Sequence, residues 1–204
     1  MSGVLTGSAK SYACVFGVGI LVGCVCRLAD FCSYETLWGF ASIQTMVGFW
    51  IISNTVIVLL SSSNACAGIS SFLYMFGMTL SFYGLQAALG TFVPLFSGGF
   101  RASLFVMFSV LSVFCAIVAS VLYFWNKDNA FSSVLYALPV GALAAEAVAI
   151  MTTLEMPACL FQLSMDIAGS VGFFVLFYGR SKNRPVLILS SIAIALLCYV
   201  FFPW

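Results

Sequence analysis

The sequence predicts an all-α, polytopic transmembrane helix bundle, and three observations carry that prediction. Of 204 residues, 63% are apolar before any glycine is counted and 6% are charged, where an ordinary soluble domain has roughly 45–50% and about 25%. Seven Lys and Arg with six Asp and Glu are too few to clothe the surface of a soluble domain of this size. The apolar residues also fall into seven continuous runs of about 20, the length that crosses a bilayer core at ~1.5 Å per residue. Barrel strands would alternate apolar and polar residues over about 10 positions, which these runs do not.

Polar punctuation sets each expected helix in turn. The first covers 11–26 and stops at Arg27-Leu28-Ala29-Asp30, with Glu35 closing the loop. The second covers 37–60 and ends at Ser61-Ser62-Ser63-Asn64, a turn signal. The third, 69–91, is closed by Pro94 and Ser97-Gly98-Gly99. The fourth, 102–125, runs into Asn126-Lys127-Asp128-Asn129. The fifth, 131–151, contains Pro139, which predicts a kink on the face that carries Glu146 seven residues on. The sixth, 158–178, precedes Gly179-Arg180-Ser181-Lys182-Asn183-Arg184-Pro185, and the seventh covers 186–204. The linkers are too short for a soluble domain, so residues 1–204 read as one integral membrane domain. No internal repeat is evident, although seven helices can conceal a diverged three-plus-three duplication.

Lys10, Lys127, Arg180, Lys182 and Arg184 fall on one side of such a bundle, against Arg27 and Arg101 on the other. The positive-inside rule then predicts a cytoplasmic N-terminus and an external C-terminus, with Trp125 and Trp204 as interface anchors. A second reading of the start is a lipoprotein cleavage box at Leu21-Val22-Gly23-Cys24, which would remove the first helix; the plain reading is a retained helix. Gly19 with Gly23, and Gly141 with Ala145, form small-xxx-small pairs that let neighbouring helices approach closely.

Ionisable groups within spans cost roughly 2.5–3.5 kcal/mol each at a helix centre, so each needs a reason. Glu146 is expected ~8 Å from the outer end of the fifth helix and Asp166 ~12 Å from that of the sixth. Gln44, Gln86 and Gln162 are expected in the same leaflet, and Gln162 and Asp166 share one helix face, with Cys159 and Gly169 continuing the stripe. The fourth and seventh helices carry nothing more polar than serine and are expected to face lipid.

These positions predict an outward-opening polar pocket among the second, third, fifth and sixth helices, built from Asp166, Glu146, Gln162, Gln44 and Gln86. The outer half holds five acids against Arg27 and Arg101, which favours a small cation or an amine-bearing solute. The competing reading is structural: Arg27 pairs with Asp30, Glu146 or Asp166 to hold the bundle, and the amides act as interhelical glue worth about 0.6 kcal/mol apiece.

The net charge of +1 and the absence of a basic block argue against nucleic-acid binding. The lack of histidine removes His-based hydrolases, HExxH proteases and His-ligated haem or zinc. No cofactor, metal site or enzymatic activity is expected. Eight cysteines without a Cys-x-x-Cys read as small hydrophobes. The functions left open are a small-solute transporter or its membrane-embedded binding subunit, and a structural or accessory protein that assembles with a protein partner or with copies of itself.

Several segments together carry a family likeness: Arg27-Leu28-Ala29-Asp30, Leu37-Trp38-Gly39-Phe40-Ala41-Ser42, Phe76-Gly77-Met78-Thr79-Leu80-Ser81-Phe82-Tyr83, and Tyr136-Ala137-Leu138-Pro139-Val140-Gly141 running into Glu146. The chain resembles, over most of its length, a group of small polytopic membrane proteins of Gram-positive, often anaerobic, bacteria known as a domain of unknown function. That resemblance implies the bacterial inner (cytoplasmic) membrane and carries over no activity or site residue. In size the chain is similar to the substrate-binding subunits of energy-coupling-factor vitamin importers, which have six helices and an outward-facing pocket. The seventh helix and external C-terminus depart from that pattern, so this likeness is architectural.

Overall fold

The computed structural model describes residues 4–32, 47–94, 99–127, 130–153 and 159–202. Among them are seven α-helices: α1 (Ala9–Leu28), α2 (Gly48–Leu60), α3 (Asn64–Leu89), α4 (Ala102–Leu122), α5 (Ala130–Thr153), α6 (Leu160–Arg180) and α7 (Arg184–Phe201). Six of them are long and apolar enough to cross a membrane, and α2 is a shorter apolar helix. The chain is a multi-pass, membrane-type helical protein. A single bridge, Leu5 with Ser61, is the one β-type pairing among the described residues.

Local chemistry moves the helix ends by a few residues from the positions read off the sequence. Ser8 accepts from the Ser11 N–H and Ser63 from the Cys66 N–H, so α1 and α3 start earlier than their apolar runs do. The serine/asparagine stretch before α3 is therefore a cap as much as a turn. Pro185 sits in the first turn of α7, where its missing N–H costs nothing. After α4 the chain tightens into a 3₁₀ turn over Tyr123–Asn126. The predicted second helix is described only from Gly48 onward, so Gln44, Glu35 and Trp38 lie outside the described residues, as do Asp128, Glu155 and Trp204.

The helices form two compact units, Met1–Phe31 with Val56–Tyr123, and Cys32–Thr55 with Phe124–Trp204, and α2 contributes to both. In the first unit α3 packs against α1 on one side and α4 on the other. The α1–α3 seam is made by glycine. A methyl group on Gly19 would collide with the Tyr74 carbonyl, one on Gly23 with the Met78 carbonyl, and one on Gly77 would stand 2.8 Å from the Phe16 carbonyl oxygen. The Leu21–Cys24 stretch thus lies inside α1, with Gly23 engaged in packing.

In the second unit α5 packs against both α7 and α6. Gly141 allows the α7 backbone to approach: its methyl would be 2.7 Å from the Ser191 carbonyl oxygen. Just past Pro139, the Val140 carbonyl accepts the Ser170 hydroxyl at 3.0 Å, fastening α6 to α5. Trp125, at the end of α4's apolar run, is buried, stacked on Tyr136 with Phe177 also against its ring. The 3₁₀ turn folds the indole into the unit. The outer faces of α4 (Val106, Val110, Phe114, Ile117) and α7 (Leu189, Ile192, Leu196, Val200) are exposed and apolar, as helices bordering lipid require.

Candidate functional site

The site is a layer of polar side chains buried in the second unit. Glu146 on α5 and Gln162 and Asp166 on α6 are each no more than 1% exposed. Their four-residue spacing puts Gln162 and Asp166 on one face of α6, and the Gln162 Nε2 donates to Asp166 Oδ1 at 2.8 Å. Facing them is the N-terminus of α2. The Val47 N–H donates to Glu146 Oε1 at 2.7 Å, and the Gly48 N–H also faces that carboxylate. Glu146 therefore caps a helix from the far end of the sequence, meeting both the free amide groups and the positive end of the dipole.

Gly48 is where the three side chains converge. A methyl group placed there would overlap Asp166 Oδ1 outright and stand 2.6 Å from Gln162 Nε2 and 2.7 Å from Glu146 Oε2. Both carboxylates and the amide thus surround one backbone carbon. A turn away along α6, Gly169 is equally close-packed, its methyl position lying 2.8 Å from Ile52 Cδ1 and 3.1 Å from Leu143 Cδ1. In the other direction Ala147, Ile150 and Leu163 form an apolar cluster with Cys159 and Leu160 against it. Apolar packing flanks the polar layer on both sides.

Glu146 Oε2, Asp166 Oδ2 and Gln162 Oε1 have no hydrogen-bond partner among the described residues. With Asp166 ionised the amide cannot relieve this by turning over, because its oxygen would then face the carboxylate. The seven Lys and Arg of the chain all lie within the described residues, and none makes an ion pair with either acid. Two buried carboxylates without a cation, and three acceptors without a donor, are a costly arrangement for a purely structural cluster. The Gln162–Asp166 bond lies within α6, and among the described residues this amide makes no hydrogen bond to another helix.

Glu146 and Asp166 meet although the sequence placed them about one turn apart in depth. α5 continues to Thr153 and α6 begins only at Leu160. Each acid is therefore roughly 10 Å from the neighbouring helix end, and the apparent offset came from helix ends misjudged by two residues each.

The remaining predicted residues fall elsewhere. Gln86 is buried on α3 and Arg27 ends α1, both in the first unit. Arg27 pairs with Asp30 at 3.1 Å and lies 4.7 Å over the Phe82 ring, completing a cationic last turn of α1. That pair is local but largely buried, so Arg27→Met is expected to cost about 1–3 kcal/mol, checked by thermal unfolding in detergent. Gln44 is outside the described residues. Cys159, just before α6, has its thiol pushed above the usual value by burial, which makes it a poor nucleophile. Gly48 is the site residue that the sequence did not reveal, since its partners lie about a hundred positions away.

No family model matches the chain, and no curated protein or solved structure is found to be similar to it.

Proposed function

We propose that the protein is a small-solute membrane transporter, or the membrane-embedded substrate-binding subunit of one, and that the Glu146–Gln162–Asp166 layer is its cation-accepting element. A single observation carries this reading: two fully buried carboxylates and an amide meet around Gly48, with three of their oxygens unpartnered among the described residues and no side-chain cation beside them. Intramembrane acids of this kind mark ion and solute pathways. The positive-inside count supports a cytoplasmic N-terminus, the family resemblance implies a bacterial inner membrane, and the site would then belong to the external leaflet. No catalytic chemistry is assigned to it.

The second reading, an accessory protein that assembles with a partner or with itself, draws on the broad apolar faces of α4 and α7. The two readings diverge on substitution. In proteoliposomes the Asp166→Asn, Glu146→Gln double variant is expected to lose uptake of cations and amine-bearing solutes while keeping its fold. Uptake equal to wild type in that variant would sink the transport reading. Retained stability with no transport by either form would favour the accessory one.

A further inference from the structure

Resting on the reading just given, we infer that the cation taken up by the polar layer is a single proton, carried on Asp166 while Glu146 stays ionised as the cap of α2.

Repulsion between like charges is the first argument. Asp166 Oδ1 and Glu146 Oε2 both lie within 2.7 Å of the methyl position on Gly48, which sets them within the roughly 4–6 Å over which charged groups govern one another's ionisation. Both side chains are buried, and Glu146 Oε2 reaches that spot without a hydrogen-bond partner among the described residues. Among the described residues neither acid has an ion-pair partner. Two adjacent carboxylates so placed do not both keep their charge, and one proton relieves the repulsion. A proton also adds no volume, where even a methyl group overlaps Asp166.

The two carboxylates differ, and the difference assigns the proton. Glu146 accepts the Val47 N–H at 2.7 Å and faces the Gly48 N–H, and the positive end of the α2 dipole supports its charge. Asp166 accepts one neutral amide, the Gln162 Nε2 at 2.8 Å, from its own helix. Less holds its charge in place, so it is the member that becomes neutral. Once it carries the proton, the Gln162 amide can turn over and accept from it, so this side chain serves both states of the acid.

The other titratable groups on the surrounding described helices lie farther off. α2 has no ionisable side chain over Gly48–Leu60. On α5 there is Tyr136, ten residues from Glu146; around α6 there are Cys159, seven residues from Asp166, and Tyr178 and Arg180, twelve and fourteen away. At ~1.5 Å per residue these are ~10 Å or more along the helix. On α7 the Tyr199 hydroxyl bonds to Thr152 at 3.2 Å, six residues past Glu146, with Cys198 before it in sequence, and Arg184 stands at the opposite end of that helix. The two acids therefore answer chiefly to each other.

The test reads protonated carboxyl groups directly, by the infrared carbonyl stretch of the full-length protein in detergent across a pH series, with exchange into heavy water identifying the band. Wild type is expected to show one such carboxyl per chain at neutral pH, lost in one step as the pH is raised. Asp166→Asn should remove the band. Glu146→Gln should keep it and move its loss to lower pH, because the opposing charge is gone. If Asp166→Asn does not fold, the wild-type band and its displacement in Glu146→Gln decide the matter. No protonated carboxyl at neutral pH, or a band that survives Asp166→Asn, would overturn the inference. Uptake of labelled cations and amines into proteoliposomes is measured separately. The Asp166 band without any uptake would leave the proton site standing and remove the transport reading; uptake without the band would do the reverse.

Discussion

Gly48→Val is expected to lower the unfolding free energy by about 1–3 kcal/mol, the ordinary cost of overpacking a filled core, and to eliminate uptake of cations and amine-bearing solutes. The first carbon of any side chain at this position lands on Asp166 Oδ1. Asp166 cannot swing aside freely, because Gln162 holds it at 2.8 Å. Glu146 cannot retreat without giving up the Val47 N–H at 2.7 Å. Either movement breaks a buried hydrogen bond, and both degrade the arrangement of oxygens. Uptake and thermal unfolding, measured together, separate this from simple loosening of α2: Gly172→Ala on α6, where nothing lies within 4 Å of the added carbon, should keep uptake intact and be neutral or gain up to about 1 kcal/mol. Wild-type uptake by a folded Gly48→Val protein would show that the convergence of the three side chains on this carbon does not matter to function.

The fold was legible in the sequence because a bilayer imposes one dominant constraint, continuous apolar length, and that constraint is local. Polar breaks such as Asn126-Lys127 and Arg180-Ser181-Lys182 therefore located the connections closely. The expectation that α4 and α7 face lipid also rested on a local quantity, the absence of polar groups along each run, and their exposed apolar faces agree with it. What the sequence could not supply were quantities that depend on distant residues. Glu146 and Asp166 were identifiable as costly residues, but whether they meet depends on helix ends set by caps and on the rotation of α5 against α6. Gly48 looked like any glycine within an apolar run, because Glu146 and Asp166 give it meaning only in three dimensions. Trp125 shows the same limit: tryptophan near a helix end is commonly interfacial, but its stacking on Tyr136 and Phe177 is a tertiary choice.

Gly19→Val is expected to be among the most damaging changes in the first unit, costing ~3 kcal/mol or more and sharply reducing the amount of folded protein recovered from membranes. Between apolar helices in lipid the hydrophobic effect supplies little attraction, so close backbone packing must hold them together. At Gly19 the obstacle to a side chain is the Tyr74 backbone itself, with its carbonyl carbon 3.0 Å and its Cα 3.1 Å from the added carbon. Backbone in the middle of a helix cannot rotate away as a side chain can. The strain would therefore separate α1 from α3 along the seam that Gly23 and Gly77 also depend on. The size of the effect should follow the added volume, with Gly19→Ala milder than Gly19→Val. Gly17→Ala, two residues away on the same helix with nothing within 4 Å, should be neutral or gain up to about 1 kcal/mol. Expression level and detergent thermal unfolding of the three variants check this ordering. Equal losses at Gly17 and Gly19 would mean that glycine acts here through helix propensity and not through contact. A loss confined to Gly19 would show that the first unit is held by a backbone seam, a means of cohesion independent of the polar layer in the second.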